Sequence, residues 1–297
     1  MNRPRVVIVG SANMDLVAVA PKLPRPGETV LGTDFVTVPG GKGANQAIAA
    51  ARAGGSSAFL GAIGSDSFGV TLRARIAASG VDTSHIRVVY GASGVAVIMV
   101  NAEGENSIVV TPGANGALTA LTEPELAAVR DADVMVAQLE IPVETVAQAA
   151  AAAHTAGTRV VLNAAPARPL PPALLDAVDL LVVNEVEART ITGGNDFTAL
   201  LSAVPRVVVT LGADGAWYGD RGGTDRSVSG IRVTAVDSTA AGDAFTGALA
   251  VAWAEGRDLV DAVRWACAAG AACVRRVGAS VSLPQRAEID ELFRQSG

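Results

Sequence analysis

The chain has 297 residues, of which 50% are hydrophobic and 18% charged, and its mean hydropathy is +0.38. This predicts a globular protein with a sizeable core, either one large domain or one domain with a small appendage. The formal net charge of -6 and the pI of about 5.0 argue against nucleic acid or an anionic membrane as a main partner.

The N-terminal stretch does not have the pattern of a targeting or membrane segment. Arg3 and Arg5 precede a short apolar run at 6–9, and polar residues interrupt it well short of a signal-peptide core or a membrane span. Cys267 and Cys273 fall within one predicted helix, where they do not face each other well enough for a disulfide. We therefore expect a cytoplasmic protein with no membrane partner.

The first part of the chain predicts a buried strand followed by a small projecting sheet. The strand is predicted at 5–10, and Asn13 and Asp15 lie just beyond it. In extended backbone these two side chains point the same way and could hold neighbouring hydroxyls of a polyol; an Asx turn is the alternative. A hairpin is predicted at 94–100 and 107–111, with its first arm apolar on both faces. That arm is either part of an interface or packed onto the core.

A glycine-rich loop, GGKGAN at 40–45, leads into a helix predicted over 46–53. It is not a Walker A loop, because Lys42 is followed by glycine, and it lacks the third glycine of a dinucleotide fingerprint. Glycines at a helix start, together with one lysine, suit a hydroxylated or anionic ligand.

From about residue 112 the pattern alternates between helix and strand, which predicts an α/β protein with a doubly wound, mainly parallel sheet. Strands are predicted at 134–138, 159–163, 180–183 and 206–211. Ligands of such sheets lie at the carboxyl ends of the strands. Polar or turn-forming residues, each with a cap or turn as the alternative, fall there: Glu140, Asn163, Asn184, Glu187, Thr210, Gly212, Asp214 and Gly215.

A second small-residue motif, DSTAAGD at 237–243, follows a β-like run at 228–236 and opens an apolar helix predicted over 241–255. Its small side chains let an anion approach the free N–H groups at the positive end of the helix dipole. Asp243, in the first turn, could take a proton from a hydroxyl while those N–H groups hold a phosphoryl group. Ordinary helix capping is the alternative.

In this order and separation the two motifs resemble the two signatures of the PfkB-type carbohydrate kinases, the ribokinase family. The segments NMD at 13–15, QLE at 138–140, NEVE at 184–187 and TLG at 210–212 also match, so the resemblance covers essentially the whole chain. It implies a doubly wound α/β core with a small β-sheet lid, and homodimers that form through the lids. The implied core is 1–13, 42–92 and 114–297, and the implied lid is 14–41 and 93–113.

The resemblance implies ATP-dependent phosphorylation of D-ribose at the O5 hydroxyl. Asp243 would be the base, and the anion hole would be formed by the N–H groups of Ala240, Ala241, Gly242 and Asp243. The residues implied to hold the sugar are Asn13, Asp15, Gly41, Lys42, Asn45, Glu140 and Asp243.

The same resemblance implies a nucleotide side and two cations. The nucleotide site would be formed by Asn184, Glu187, Thr210, Gly212, Gly215 and Gly242. Glu187 would place Mg2+, mainly through water. Activating K+ would lie beside the anion hole, held mostly by backbone carbonyls of Asp237, Thr239, Cys273, Arg276, Gly278 and Ser282.

Three other functions were weighed against this one. Another acceptor, such as a nucleoside, deoxyribose or a related sugar, stays open; an aromatic content of 4%, with only Phe35 near the acceptor motifs, favours a bare sugar. Asp243 and Gly242 are both present, which argues against a non-catalytic sensing module. The missing GxGxxG argues against a dehydrogenase. Cys267 replaces a polar residue that the family tends to carry near adenine, so nucleotide affinity or choice could differ.

Overall fold

In the computed structural model of the protein, which describes residues 3–295, thirteen strands form two separate sheets. The central sheet contains β1 Arg5–Val9, β4 Ser56–Gly64, β5 Ile86–Val89, β8 Val134–Ala137, β9 Arg159–Asn163, β10 Leu180–Asn184, β11 Arg206–Thr210, β12 Gly215–Asp220 and β13 Asp225–Ser229. The small sheet contains β2 Asn13–Val19, β3 Asp34–Gly40, β6 Gly94–Val100 and β7 Asn106–Thr111. The strand orders are β13-β12-β11-β10-β9-β8-β1-β4-β5 and β3-β2-β6-β7.

The central sheet is mainly parallel, and its inner strands are apolar runs buried on both faces, whereas the edge strand β13 is largely exposed and the edge strand β5 is only partly buried. Every pair from β11 to β5 along the sheet is parallel, whereas β12 and β13 extend one edge with antiparallel pairs. Because successive strand residues alternate in direction, Ile8 packs into the core on one face while Val7 and Val9 pack on the other. Two-sided burial is typical of parallel sheets covered by helices. The predicted fold class is therefore confirmed.

Helices cover both faces of the central sheet and make two apolar cores. On one face lie α1 Lys42–Arg52, α2 Ser67–Ala78, α7 Ala241–Ala254, α8 Leu259–Cys273 and α9 Arg286–Gln295. On the other lie α3 Glu123–Arg130, α4 Val143–Ala156, α5 Pro172–Leu175 and α6 Glu185–Thr192. Within residues 3–295, none of these helices is long and apolar enough to cross a membrane.

Helices α1 and α7 carry the two small-residue motifs and pack directly against each other. A Cβ at Gly247 on α7 would lie 2.6 Å from the Cβ of Ala49 on α1, so glycine is needed for this close approach. The contact brings the N-terminus of α1 next to that of α7. The fold thereby joins two motifs that lie about 200 residues apart in the sequence.

The small sheet exposes apolar side chains. Every residue of β7 is exposed, and Phe35, Ile108 and Val109 are 60%, 52% and 62% accessible. The first arm of the predicted hairpin is β6, for which the alternatives were an interface or packing onto the core. Only the beginning of β6 packs onto the core, where Ala96 is buried. Val97, the next residue, is already 40% exposed.

Some predicted element boundaries are wrong. The β-like run at 228–236 ends at Ser229, because Gly230 turns the chain and donates to the carbonyl of Asp214. Further along, the N–H groups of Val236 and Asp237 both donate to the carbonyl of Val274. Helix α1 begins at Lys42 instead of residue 46, because the glycine loop is itself helical from that point. Strands β5 and β12 were not predicted.

Candidate active site

The candidate site lies at the carboxyl ends of the parallel strands, where the N-termini of α1 and α7 meet. Gly41 caps α1 with φ of 93°, a left-handed conformation that favours glycine. A Cβ at this position would lie 2.6 Å from the backbone nitrogen of Asn13 and 2.8 Å from the Cα of Ala12. The GGKGAN loop therefore packs against the start of β2 without any room for a side chain at residue 41.

Three polar groups converge on the carboxylate of Glu140, which follows β8. Its Oε2 accepts hydrogen bonds from Ser11 Oγ at 2.5 Å, from Asn13 Nδ2 at 3.3 Å and from the backbone N–H of Lys42 at 3.3 Å. The structure thus brings Asn13, Lys42 and Glu140 together as predicted, although their roles toward a sugar remain predictions. Ser11 was not predicted, because a serine after a strand is common in turns.

A buried asparagine, Asn115, fixes the direction of the Asn13 amide. Its Nδ2 donates to Asn13 Oδ1 at 2.7 Å and to the carbonyl of Ala12 at 3.2 Å, while its Oδ1 accepts from the N–H of Ala12 at 3.0 Å. Ala12 precedes β2, the first strand of the small sheet, and Asn115 follows β7, the last one. This contact therefore joins the segment that enters the small sheet to the segment that leaves it. Sequence reasoning missed it because nothing local distinguishes Asn115 from a turn residue.

Asp15 lies on β2, two residues after Asn13, so both side chains project from one face of the small sheet as predicted. Burial, followed by the charges of Glu140 and Asp243, raises the pKa of Asp15 to about 7. The site therefore contains a carboxyl group that changes charge near neutral pH.

Asp243 is buried in the first turn of α7, as predicted, and each of its carboxylate oxygens accepts a hydrogen bond. Asn45 Nδ2 donates to Oδ2 and Gln46 Nε2 donates to Oδ1, both at 3.0 Å. Burial raises the pKa of Asp243, while Lys42 and the two amide donors act in the opposite direction. The buried Oδ1 of Asn45 accepts no hydrogen bond from residues 3–295.

The N-terminus of α7 has the features expected of an anion hole. Ala240 is its N-cap and adopts a left-handed conformation with φ of 61°; no side chain among the described residues caps the helix. A non-glycine residue with positive φ is unusual and marks a functional turn when the surrounding structure holds it. A Cβ added to Gly242 would meet nothing within 4 Å, so the space in front of this turn is open.

A cavity of about 240 Å³ opens in front of this helix end. Lys42 and Asp243 share it with four residues predicted for the nucleotide side, Asn184, Glu187, Thr210 and Gly242, and with Ala240 of the predicted anion hole. Asn163, Ser238 and Thr246 also line it without having been assigned a role.

The two glycines predicted for the nucleotide site, Gly212 and Gly215, do not line this cavity. Their positive φ values, 58° and 102°, make the turn between β11 and β12. At Gly215 a Cβ would lie 2.1 Å from the carbonyl of Val228, so strand packing alone already requires glycine there. A nucleotide role for either residue remains a prediction.

Asn184 and Glu187 form a capping box at the start of α6. Asn184 Oδ1 accepts from the N–H of Glu187, and Glu187 Oε2 accepts from the N–H of Asn184, both at 2.8 Å. Burial raises the pKa of Glu187, while its hydrogen bond to Asn184 and the charge of Lys42 lower it. Helix capping therefore accounts for the contacts between Asn184 and Glu187. Glu187 also lines the cavity, where its carboxylate can reach a ligand. No group of three or more metal-binding side chains occurs within the described part of the chain.

The loops predicted to hold a monovalent cation lie against each other. Asp237 joins them, because its Oδ1 accepts from the N–H of Thr239 at 2.9 Å and its Oδ2 accepts from the N–H of Gly278 at 2.8 Å. Cys273 Sγ lies 3.1 Å from Ser282 Oγ, and Arg276 donates to the carbonyl of Ser282 at 3.1 Å. The six predicted residues are therefore neighbours in space.

Cys267 and Cys273 are free thiols, in agreement with the prediction that they do not pair, and both are buried. Burial raises the pKa of Cys267 to about 12, so its thiol is neutral at physiological pH. A neutral thiol is a weak hydrogen-bond partner for an adenine, whereas the polar residue that the family resemblance implies would be a strong one.

Known proteins are similar to this chain over nearly its whole length. Residues 3–286 match the family model described as pfkB family carbohydrate kinase. The ribokinase of Haemophilus influenzae is 39% identical over 99% of this chain and 100% of its own length, and that of Bacillus subtilis is 40% identical over 97% and 99%. A solved structure of Arabidopsis thaliana ribokinase complexed with ribose and ATP superposes with a TM-score of 0.93 at 34% identity, covering 99% of both chains. Ribokinase from Thermotoga maritima superposes with a TM-score of 0.89 at 32% identity, covering 97% of this chain and 99% of its own.

Proposed function

This chain belongs to the pfkB family of carbohydrate kinases, and we propose that it catalyses ATP-dependent phosphorylation of D-ribose to give ribose 5-phosphate and ADP. The observation that carries the proposal is the placement of Asp243. It is a buried carboxylate at the uncapped N-terminus of α7, beside an open cavity. A base next to an anion hole is what phosphoryl transfer to a hydroxyl requires.

In the proposed reaction the carboxylate of Asp243 takes the proton of the O5 hydroxyl. The O5 oxygen then forms a bond to the γ-phosphorus, and the bond from that phosphorus to the β–γ bridging oxygen breaks with its electron pair leaving on ADP. The N–H groups of Ala240, Gly242 and Asp243 would stabilise the charge on the transferred group, whereas the predicted contribution of Ala241 is reduced because its N–H donates to the carbonyl of Ser238 at 3.2 Å. Lys42 lines the same cavity, and its pKa stays high because Asp243, Glu140 and Glu187 outweigh the effect of burial. Its charge is therefore available to the phosphoryl group as well as to the sugar.

The sugar hydroxyls would be held by polar groups on both sides of the Gly41 turn. Asn13, Asp15 and Glu140 approach from the small sheet and β8, while Asn45 offers its free Oδ1 from α1. These groups are preoriented, since Asn115 fixes the amide of Asn13 and Ser11 bonds Glu140. A preorganised polar site loses little free energy to reorganisation when a ligand binds.

Mg2+ would enter with ATP. Mg2+ usually binds through one or two carboxylates, nucleotide phosphates and several waters, and it neutralises phosphate charge during transfer. Glu187, with its carboxylate on the cavity, fits that limited role, and Asn184 holds its backbone in place. Thr210 would line the nucleotide site beside them.

Potassium as an activator is compatible with the loops around Asp237. Each oxygen of that carboxylate already accepts one N–H and retains capacity for another interaction. A cation there would stabilise both loops next to the anion hole without touching the sugar. Turnover measured in matched KCl and NaCl buffers tests this, and equal rates would count against it.

We also propose that the small sheet is a lid, with the limits 14–41 and 93–113, and that two lids form a homodimer. Val36, Val17, Ile98 and Ile108 pair across the four strands and make one apolar row. The row lies on the same face as Asp15, since residues two apart on a strand share a face. A second lid covering this row would also shield the sugar side of the site. Sedimentation equilibrium tests the dimer.

We also propose a cytoplasmic location, which suits the two free cysteines.

The acceptor is tested by measuring ADP release with MgATP and KCl in the presence of D-ribose, 2-deoxyribose, adenosine or fructose. We expect the highest kcat/KM with D-ribose, because the site offers hydroxyl acceptors and, among residues 3–295, no aromatic side chain on which a base would stack lines the cavity. A preference for adenosine would retain the Asp243 mechanism and overturn the proposed acceptor.

The raised pKa of Asp15 gives a pH prediction for sugar binding. A carboxyl group with a pKa of about 7 is mostly neutral at pH 6 and mostly ionised at pH 8. Because the ionised form accepts sugar hydroxyls better, we expect the KM for D-ribose to fall as pH rises through 7. In Asp15→Asn this step should vanish, and a KM that keeps its dependence in that variant would assign the titration to another group.

A further inference from the structure

Behind Asp243 lies a chain of buried side-chain amides that the reaction above does not use. Gln46 on α1 and Gln138 after β8 are both fully buried, and Asn163 ends β9. Gln46 Nε2 donates to Asp243 Oδ1 at 3.0 Å and to Asn163 Oδ1 at 2.9 Å. Gln138 Nε2 donates to Gln46 Oε1 at 2.6 Å. Buried polar groups in such a network are expensive to leave unpaired, so each bond restricts the next.

The direction of every bond in this chain follows from one backbone carbonyl. Asn163 Nδ2 donates to the carbonyl of Val182 at 3.1 Å, and a carbonyl can only accept. Asn163 must therefore turn its Oδ1 toward Gln46, which must present Nε2 in return. The second N–H of that same nitrogen then points at Asp243.

Reversing the Gln46 amide would be unfavourable at two of its three contacts. Its oxygen would face the carboxylate of Asp243 and the oxygen of Asn163, whereas Gln138, whose Oε1 has no partner within residues 3–295, could reverse together with it. The fold thus presents a donor, and never an acceptor, to Oδ1 of the base. Asn45 supplies the matching donor to Oδ2.

We propose that Gln46 is a positioning residue for Asp243: it holds the carboxylate in its reactive orientation and in its ionised form. The proposal rests on the assignment of Asp243 as the base. It follows that the side chain at residue 46 determines the pKa of Asp243 and, with it, the position of the acid limb of kcat. The titratable groups that face Asp243 from the elements around it are Lys42 on α1, Glu140 after β8, Asp15 on β2 and Cys273 on α8.

The variant Gln46→Met keeps the length of the side chain and removes both donors, and Gln46→Glu keeps its shape. We expect the acid limb of kcat, measured at saturating D-ribose and MgATP, to move to higher pH by about 1 unit in Gln46→Met, since a hydrogen bond to a charged group is lost. We expect kcat on the plateau to fall by about 10- to 100-fold through lost alignment. The KM for D-ribose should change much less, because Gln46 is fully buried behind the base.

Gln138→Met is the matched control. It deletes an equally buried amide from the same network but leaves the Val182–Asn163 anchor, so Gln46 still donates to Asp243 and the acid limb should stay in place. Gln46→Glu decides the question if Gln46→Met does not fold, and there the limb should also move to higher pH, because a second carboxyl group adjoins the base.

A measurement without turnover separates this proposal from the proposed acceptor. The carboxyl carbon of Asp243 can be followed by NMR titration of protein carrying labelled aspartate, with its signal identified by its loss in Asp243→Asn. We expect its pKa to be higher in Gln46→Met and Gln46→Glu than in the wild type and Gln138→Met. Equal pKa values in all four proteins would overturn the positioning role, whichever sugar is the substrate.

Discussion

We expect the replacement of Asp243 with asparagine to lower kcat for D-ribose phosphorylation by about 10³-fold, the loss that follows when a general base is removed. Asparagine has nearly the same shape and fills the same buried space, but its amide nitrogen faces one of the two donors, Asn45 Nδ2 or Gln46 Nε2. It cannot accept the O5 proton, so the nucleophile must attack without assistance. The KM for D-ribose and the affinity for MgATP should change far less than kcat. Steady-state kinetics with both substrates, together with titration of MgATP by calorimetry, measures the difference.

Asp258→Asn is the control for this experiment. Asp258 also lies at a helix start, where its side chain accepts from the N–H of Asp261 at 3.1 Å, and asparagine can replace it as a cap. Its variant should keep normal kcat and near-normal stability. If Asp243→Asn retained more than about a tenth of the wild-type kcat, the base would have to be another group. Asp15 would then be the first candidate, because its pKa lies near 7.

The position of the proposed base at a helix start was predictable because its signal is local. DSTAAGD places small residues and one carboxylate at a predicted helix start, and these features alone suggest an anion hole beside a base. The capping box of Asn184 and Glu187 was likewise readable from a spacing of three residues after a strand. Where chemistry depends on neighbours in the sequence, the sequence predicts it.

The residues that support the base were not predictable in the same way. Gln46 follows the glycine loop in a helix and, taken alone, is an ordinary polar residue of its first turns. Its partners Gln138, Asn163 and Asp243 lie 92, 117 and 197 positions away in the sequence. Only the packing of α1 between α7 and the strand ends brings them together. A polar side chain without local partners shows its function only when the tertiary contacts are known.

The errors in the fold prediction have a similar origin. Residues 230–236 are as rich in β-branched side chains as true strands, but β13 is already at the edge of the sheet and Gly230 turns the chain away from it. Strand propensity cannot reveal whether a partner edge is available. The start of α1 was placed too late because its first residues, Lys42 to Ala44, include a glycine that disfavours helix. Packing at this position overrides the propensity, since a Cβ at Gly43 would lie 2.6 Å from the backbone nitrogen of Ser11.

Gly242→Ala should lower kcat while leaving the free energy of unfolding nearly unchanged. The added Cβ meets no protein atom within 4 Å, and alanine is the better helix former, so the free energy of unfolding should stay within about 1 kcal/mol of the wild type. The methyl group would occupy the space into which the transferred phosphoryl group must come. We expect kcat to fall by about 10²-fold, similar to the loss of one oxyanion-hole donor. Thermal unfolding and steady-state kinetics on the same preparation measure both quantities.

The matched control is Gly247→Ala, one and a half turns further along the same helix. There the added Cβ would lie 2.6 Å from the Cβ of Ala49 and 2.8 Å from the carbonyl of Gln46, so the helices must separate. We expect a loss of about 1–3 kcal/mol in the free energy of unfolding, the usual effect of overpacking. The free energy of unfolding should thus distinguish the two glycines, because only Gly247→Ala should lower it. Unchanged kcat in Gly242→Ala would mean that the phosphoryl group does not approach the N-terminus of α7, and the proposed anion hole would have to be abandoned.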